Sequence, residues 1–105
     1  MNLNRKIASA GALVCAALAM TPAHAYTQCE GTMDRIWAGD AGHLWLHLKE
    51  GGAAIVKPDD PNKETVVAMA VTALVSSRRV IIRYQADNAD CLVYGRWDFI
   101  GMYLL

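Results

Sequence analysis

Two cysteines bracket most of the chain that is available for folding, and that pair constrains the fold more than any other feature. The first 25 residues read as a cleaved export signal. Arg5 and Lys6 form its cationic start, Ile7 to Met20 is apolar and uncharged, and Ala23-His24-Ala25 is a small-x-small cleavage site just after the helix breaker Pro22. The apolar stretch has 14 residues, short of the ~20 that a membrane-spanning helix needs, so no membrane insertion is expected. What remains is 105 − 25 = 80 residues, a single domain over 26–105 that is exported to the periplasm or secreted. Cys15 leaves with the signal, and in an oxidising compartment Cys29 and Cys91 have only each other. The expected disulfide closes a loop of 91 − 29 = 62 residues, for which chain entropy gives a stabilisation of roughly 4 kcal/mol. A domain this small buries only about 60% of its unfolded surface, so a covalent staple or self-association is the natural supplement to its core. A deep catalytic cleft between domains is excluded, and a binding module is favoured over an enzyme.

Loss of the signal removes two positive charges, leaving Lys+Arg 10 − 2 = 8 against Asp+Glu 10. Nucleic acids and anionic membranes attract clustered Lys and Arg. The one local cluster is Arg78-Arg79 with Arg83, so no nucleic-acid partner is expected.

Along the chain, Glu30 to Ala38 is mildly strand-like and Ala38-Gly39-Asp40-Ala41-Gly42 is a turn. His43-Leu44-Trp45-Leu46-His47-Leu48 then alternates with period two. As a strand it sends Leu44, Leu46 and Leu48 to the core and leaves His43, Trp45 and His47 as an exposed row. Lys49-Glu50-Gly51-Gly52 is a hairpin turn, Ala53 to Val56 a third strand, and Lys57 to Asn62 a loop. Asp60-Pro61 signals a helix start, an N-cap carboxylate before proline at the first helical position. The segment Asn62 to Ser77 would carry Val67, Ala70, Val71 and Leu74 on one face. Its β-branched residues pull toward strand, but the cap, the alanines and the length decide for helix. Val80 to Tyr84 alternates again, with Val80, Ile82 and Tyr84 on one side. Gln85 to Asp90 is a polar loop, and Cys91 opens a last extended stretch from Leu92 to Leu105, bent at Gly95 and Gly101.

Mainly β with one helix, in the order strand, strand, strand, helix, strand, strand, is the pattern of the OB-fold, a five-stranded Greek-key barrel with its helix between the third and fourth strands. The alternative is a small α+β sheet with one packed helix.

The run Ala68-Met69-Ala70-Val71-Thr72-Ala73-Leu74, followed by Val80-Ile81-Ile82-Arg83-Tyr84 after an exported N-terminus and an early cysteine, resembles the B subunits of pertussis-like and subtilase-cytotoxin-like bacterial toxins. Phe99-Ile100-Gly101-Met102-Tyr103-Leu104 is similar to the closing strand of that group, and the likeness covers residues 64–105. It implies an OB-fold, a homo-oligomeric ring of five, recognition of host glycans, and a separate catalytic subunit carried by the ring. The serine-centred sugar pocket of that family falls on no residue here, so fold and ligand class carry over and no binding residue does.

The ligand face of an OB-fold uses the second and third strands with the loops after the first and fourth. That places Trp37, Asp40, His43, Trp45 and His47 at the expected glycan or protein-partner site, with Asp87 and Asn88 opposite. Core packing is expected for Tyr84, Phe99 and Tyr103, while Trp45 and Trp97 stand between core and surface. Histidines four apart share a metal ion on a helix, but on a strand they lie about 13 Å apart at ~3.3 Å per residue. No metal site and no cofactor is expected. No nucleophile and base fall together, and the aspartates lie mostly in turns, so no catalysis is assigned. The alternative function is a monomeric exported structural or inhibitory protein without sugar binding.

Overall fold

The computed structural model describes residues 25–105, so the expected export signal over residues 1–25 lies outside the described residues except for Ala25. In chain order the elements are β1 (Thr27–Gly39), β2 (His43–Leu48), β3 (Ala53–Val56), α1 (Lys63–Ser76), β4 (Arg79–Tyr84), β5 (Tyr94–Arg96) and β6 (Phe99–Leu104). The domain is mainly β with one helix among the described residues. Its strands form one mixed sheet in the order β5-β3-β2-β1-β4-β6, not closed into a barrel. Strand β1 belongs to both halves of this sheet. Thr27 to Thr32 pair with β4, and Met33 to Gly39 pair with β2 after a register shift between Met33 and Arg35.

There is one strand more than the element order suggested, because the last extended stretch breaks at Trp97-Asp98. The break is pinned by a two-pronged ion pair: Arg96 Nε donates to Asp98 Oδ1 at 2.9 Å and Arg96 Nη2 to Asp98 Oδ2 at 2.8 Å. Asp98 also accepts the Ala86 N–H at 3.0 Å, which ties down the loop after β4. These contacts, the Arg96 guanidinium first, hold the Asp98 carboxyl below the usual carboxylate range. The same guanidinium lies 5.0 Å from the centre of the Tyr84 ring, whose hydroxyl burial pushes up to about 12.

Leu44, Leu46 and Leu48 are buried as the alternation requires, together with Met33, Val80, Ile82, Tyr84 and Phe99. Tyr103 is not in the core: it pairs with outward-facing Ile81 across β4 and β6 and is 49% exposed. The disulfide Cys29–Cys91 is formed, with Cα atoms 5.6 Å apart, and joins the start of β1 to the segment leading into β5. Among the described residues no helix is long and apolar enough to cross a membrane.

The helix forms where expected but differs in detail. Asn62, not Asp60, is the N-cap, and its side chain makes no capping bond. The Asp60 carboxylate instead accepts the Asn62 N–H at 2.9 Å, closing a turn ahead of the helix. Thr72 and Ser76 donate their hydroxyls to the carbonyls of Ala68 and Thr72, which satisfies polar groups that would otherwise favour an extended chain. The buried face is Val66, Ala70 and Ala73, not the expected Val67, Ala70, Val71 and Leu74. Val67 is half-buried, and Val71 and Leu74 are exposed. The helix packs on the core that β1 and β6 share through Val66, Ala70 and Ala73, and the small side chains of the two alanines permit the close approach that leaves Val71, Leu74 and Val75 facing outward.

Candidate functional site

The register of the sheet lays two rows of side chains across the outer face of β1, β2, β3 and β5. In one row Arg35 opposes His47, His47 opposes Ala53, and Ala53 pairs in parallel with Tyr94. In the other, Trp37 opposes Trp45 and Trp45 opposes Ile55. Small residues set the spacing. Ala53 stands between His47 and Tyr94 and is short enough for their rings to meet above it, with centroids 5.1 Å apart. Gly95 does the same for Trp45: a Cβ there would come within 2.9 Å of the indole, and its φ of +89° is one that L side chains rarely adopt.

The result is a connected aromatic layer. Trp45 meets Trp37 edge to face at 6.4 Å, stacks on His47 at 6.1 Å and leans on Tyr94 at 5.4 Å. Ala53 and Ile55 are buried yet lie outside the main core cluster, so the layer encloses a second, smaller apolar cluster on the outer face of the sheet. This corrects the expectation that His47 is exposed. It is 5% exposed because Tyr94 and Trp45 cover it. Burial, followed by the positive charge of Arg35, lowers its pKa from 6.5, while Asp34 opposes the shift, and the ring is neutral at pH 7.

Above the layer is a shallow groove of about 330 Å³, lined by Arg35, Ile36, Trp37, Asp40, Trp45, His47 and Tyr94. That volume lies at the small end for ligand sites. Trp37 and Tyr94 keep 43% and 62% of their surface in solvent. Asp40 sits at the rim in a β1–β2 turn of three left-handed residues, Asp40, Ala41 and Gly42. Lys63 at the head of α1 ties that turn down by donating to the Gly42 carbonyl at 2.5 Å. A larger hollow of about 620 Å³ beside Pro58 and Glu64 has no aromatic wall.

Of the expected site residues, Trp37, Asp40, Trp45 and His47 converge on the groove. His43 stands beside it, edge-on to Trp97 at 5.4 Å, with Nδ1 2.6 Å from the Asp40 carbonyl. Asp87 and Asn88 do not join them. Their loop is anchored at the far end of β1, where Thr27 donates to the Ala86 carbonyl and accepts the Ala89 N–H, both at 2.8 Å. Sequence reasoning missed Arg35, Ile36 and Tyr94. The one local signal for Tyr94 was its neighbour Gly95, since glycine inside a strand marks close approach by another group. Among the described residues no group of three or more His, Cys, Asp or Glu is placed to hold a metal ion.

Comparison with known families, curated proteins and solved structures finds no match for this chain.

Proposed function

We propose that this is an exported, non-catalytic binding module of OB type that docks a sugar on the aromatic groove and self-associates. The observation that carries the reading is the layer of Trp37, Trp45 and Tyr94 beside Arg35, Asp40 and His47. Half-exposed ring faces suit the C–H face of a pyranose, and the polar groups at the edge suit its hydroxyls.

The OB reading is supported by the sheet order. Its two end strands, β5 and β6, are separated in sequence only by Trp97-Asp98, and β3 also touches β6. Taken as one bent strand, β5 and β6 leave five strands with the helix between the third and fourth. Self-association, as a ring of five carrying a catalytic subunit in the manner of the toxin B subunits, is supported by the outward Val71, Leu74 and Val75 of α1, of which Val75 is 79% exposed.

A glycan array probed with the purified protein tests the ligand, and size-exclusion chromatography with light scattering tests the assembly. Sugar signals that fall roughly ten-fold in Trp37→Ala and Tyr94→Ala are expected, as for anchor aromatics at binding sites. Signals unchanged in both variants would remove the groove from the function. A mass of one protomer would remove the ring and leave a monomeric binder.

A further inference from the structure

The outer surface of β4 and β6, in the half of the sheet away from the aromatic groove, holds a separate hollow of about 240 Å³ around Gly101, walled by Arg83, Ile100, Met102 and Tyr103. Arg83 opposes Gly101 across the two strands, so the glycine opens a gap in the outward row. A Cβ added at Gly101 would meet nothing within 4 Å.

Beside this gap Arg83 is held in place by rings. Its guanidinium carbon lies 5.5 Å from the centre of the Tyr26 ring and 5.3 Å from that of Tyr103, and its Nη2 donates to the Tyr103 hydroxyl at 2.7 Å. Its Nε is sealed from solvent and has no hydrogen-bond partner among the described residues. The other arginines are answered by oxygen anions or carbonyls. Arg35 meets Asp34, Arg79 meets Glu30 and Glu50, and Arg96 meets Asp98. Arg78 bonds the Leu105 oxygen. Among the described residues Arg83 alone has neither a carboxylate nor a main-chain oxygen.

The two flanking rings and the bond to the Tyr103 hydroxyl restrain the guanidinium before any ligand arrives, which lowers the entropy lost on binding. A guanidinium so fixed offers its remaining N–H groups as a fork that matches a carboxylate. Tyr103, having accepted from Arg83, keeps its own O–H to donate to the same anion. One positive charge suits one negative charge, and Ile100, 37% exposed at the rim, suits an alkyl body. We propose that the hollow over Gly101 binds a carboxylate carried on a short apolar body.

Amide NMR of the disulfide-bonded protein, titrated with butanoate, tests this. Saturable shifts at Gly101 and Tyr103 are expected, with butanamide binding at least about ten-fold more weakly, the effect of losing a charge-assisted pair. Arg83→Met should abolish the response. Gly101→Val should abolish it as well by filling the gap, and it should fold, because the space is open and valine favours strands. A free acid and an acidic side chain share this chemistry. A glutamate-containing peptide with blocked termini separates the two sources, and saturable binding of either supports the site. Butanamide binding as well as butanoate, inorganic phosphate binding more tightly than butanoate, or Gly101→Val keeping its affinity would each overturn the proposal.

Discussion

The two ends of β1 face solvent with different chemistry. Near its start, Glu30 and Thr32 meet Arg79 of β4 and Glu50 of the β2–β3 turn. Arg79 Nε lies 2.8 Å from Glu30 Oε2 and Nη1 3.3 Å from Glu50 Oε2, while Glu50 Oε1 accepts the Thr32 N–H at 2.8 Å. The Thr32 N–H first, then Glu50's own main-chain N–H and the Arg79 guanidinium, hold the Glu50 carboxyl below its ordinary value. Near its end, Arg35 and Trp37 join rings whose faces are still partly wet. Charges that answer one another leave little for a ligand to gain. Wet ring faces keep apolar area whose removal from water is worth about 25 cal/mol per Å². One strand thus carries a closed surface at one end and an open one at the other.

The largest test of this contrast is the staple that connects the two ends. Replacing Cys29 and Cys91 together by serine should lower the unfolding free energy by about 4 kcal/mol in urea denaturation. Tyr94 follows Cys91 by three residues, so tryptophan fluorescence should change at lower urea than far-ultraviolet circular dichroism. Coincident transitions would show that the aromatic end does not depend on the staple more than the charged end does.

Gly95→Ala should cost about 1–3 kcal/mol, because it forces a left-handed φ on alanine and drives a Cβ into the Trp45 ring. Tryptophan emission should shift to the red. Gly101→Ala, with open space at its Cβ, should do neither, and a similar loss in both variants would refute the packing account of Gly95.

A smaller effect is expected from acid. His47 has a folded pKa below 6.5, so the folded state binds fewer protons than the unfolded state in the window between the two values. Its contribution to stability is complete above about pH 6.5 and is lost as pH falls through the folded value. Glu50 and Asp98, also lowered, lose theirs further down, below their ordinary values of 4.5 and 3.8. His47→Gln should flatten only the upper part of the melting temperature against pH, and an unchanged profile would mean that the layer does not hold the ring neutral.

The smallest effect belongs to the charged end. Arg79→Ala removes an exposed cluster of ion pairs and should leave the melting temperature unmoved, since such pairs contribute little in water. A large drop would erase the distinction drawn between the two ends.

Much of the fold was legible in local pattern. The Leu44, Leu46, Leu48 row, the inward Val80, Ile82 and Tyr84, the glycine turn at Gly51-Gly52 with its positive φ values, and the cysteine pairing all follow from periodicity, turn chemistry and counting. Four of the seven candidate ligand residues meet in the groove for the same reason, since Trp37, Trp45 and His47 alternate on neighbouring strands and Asp40 is in the turn between them. Helix existence was legible too, but its buried face was not. Val71 and Leu74 have the right spacing for burial, and only the approach of α1 to β1 and β6 selects the alanine face instead.

What the chain determines by itself is which side chains can share a face, because strand and helix periods are local properties of the backbone. Which faces are then covered was settled by the parallel pairing of β3 with β5, which carries Tyr94 across Ala53 onto His47 and turns an expected surface histidine into a buried one. That pairing joins residues some forty positions apart, and no local periodicity encodes a contact of that range.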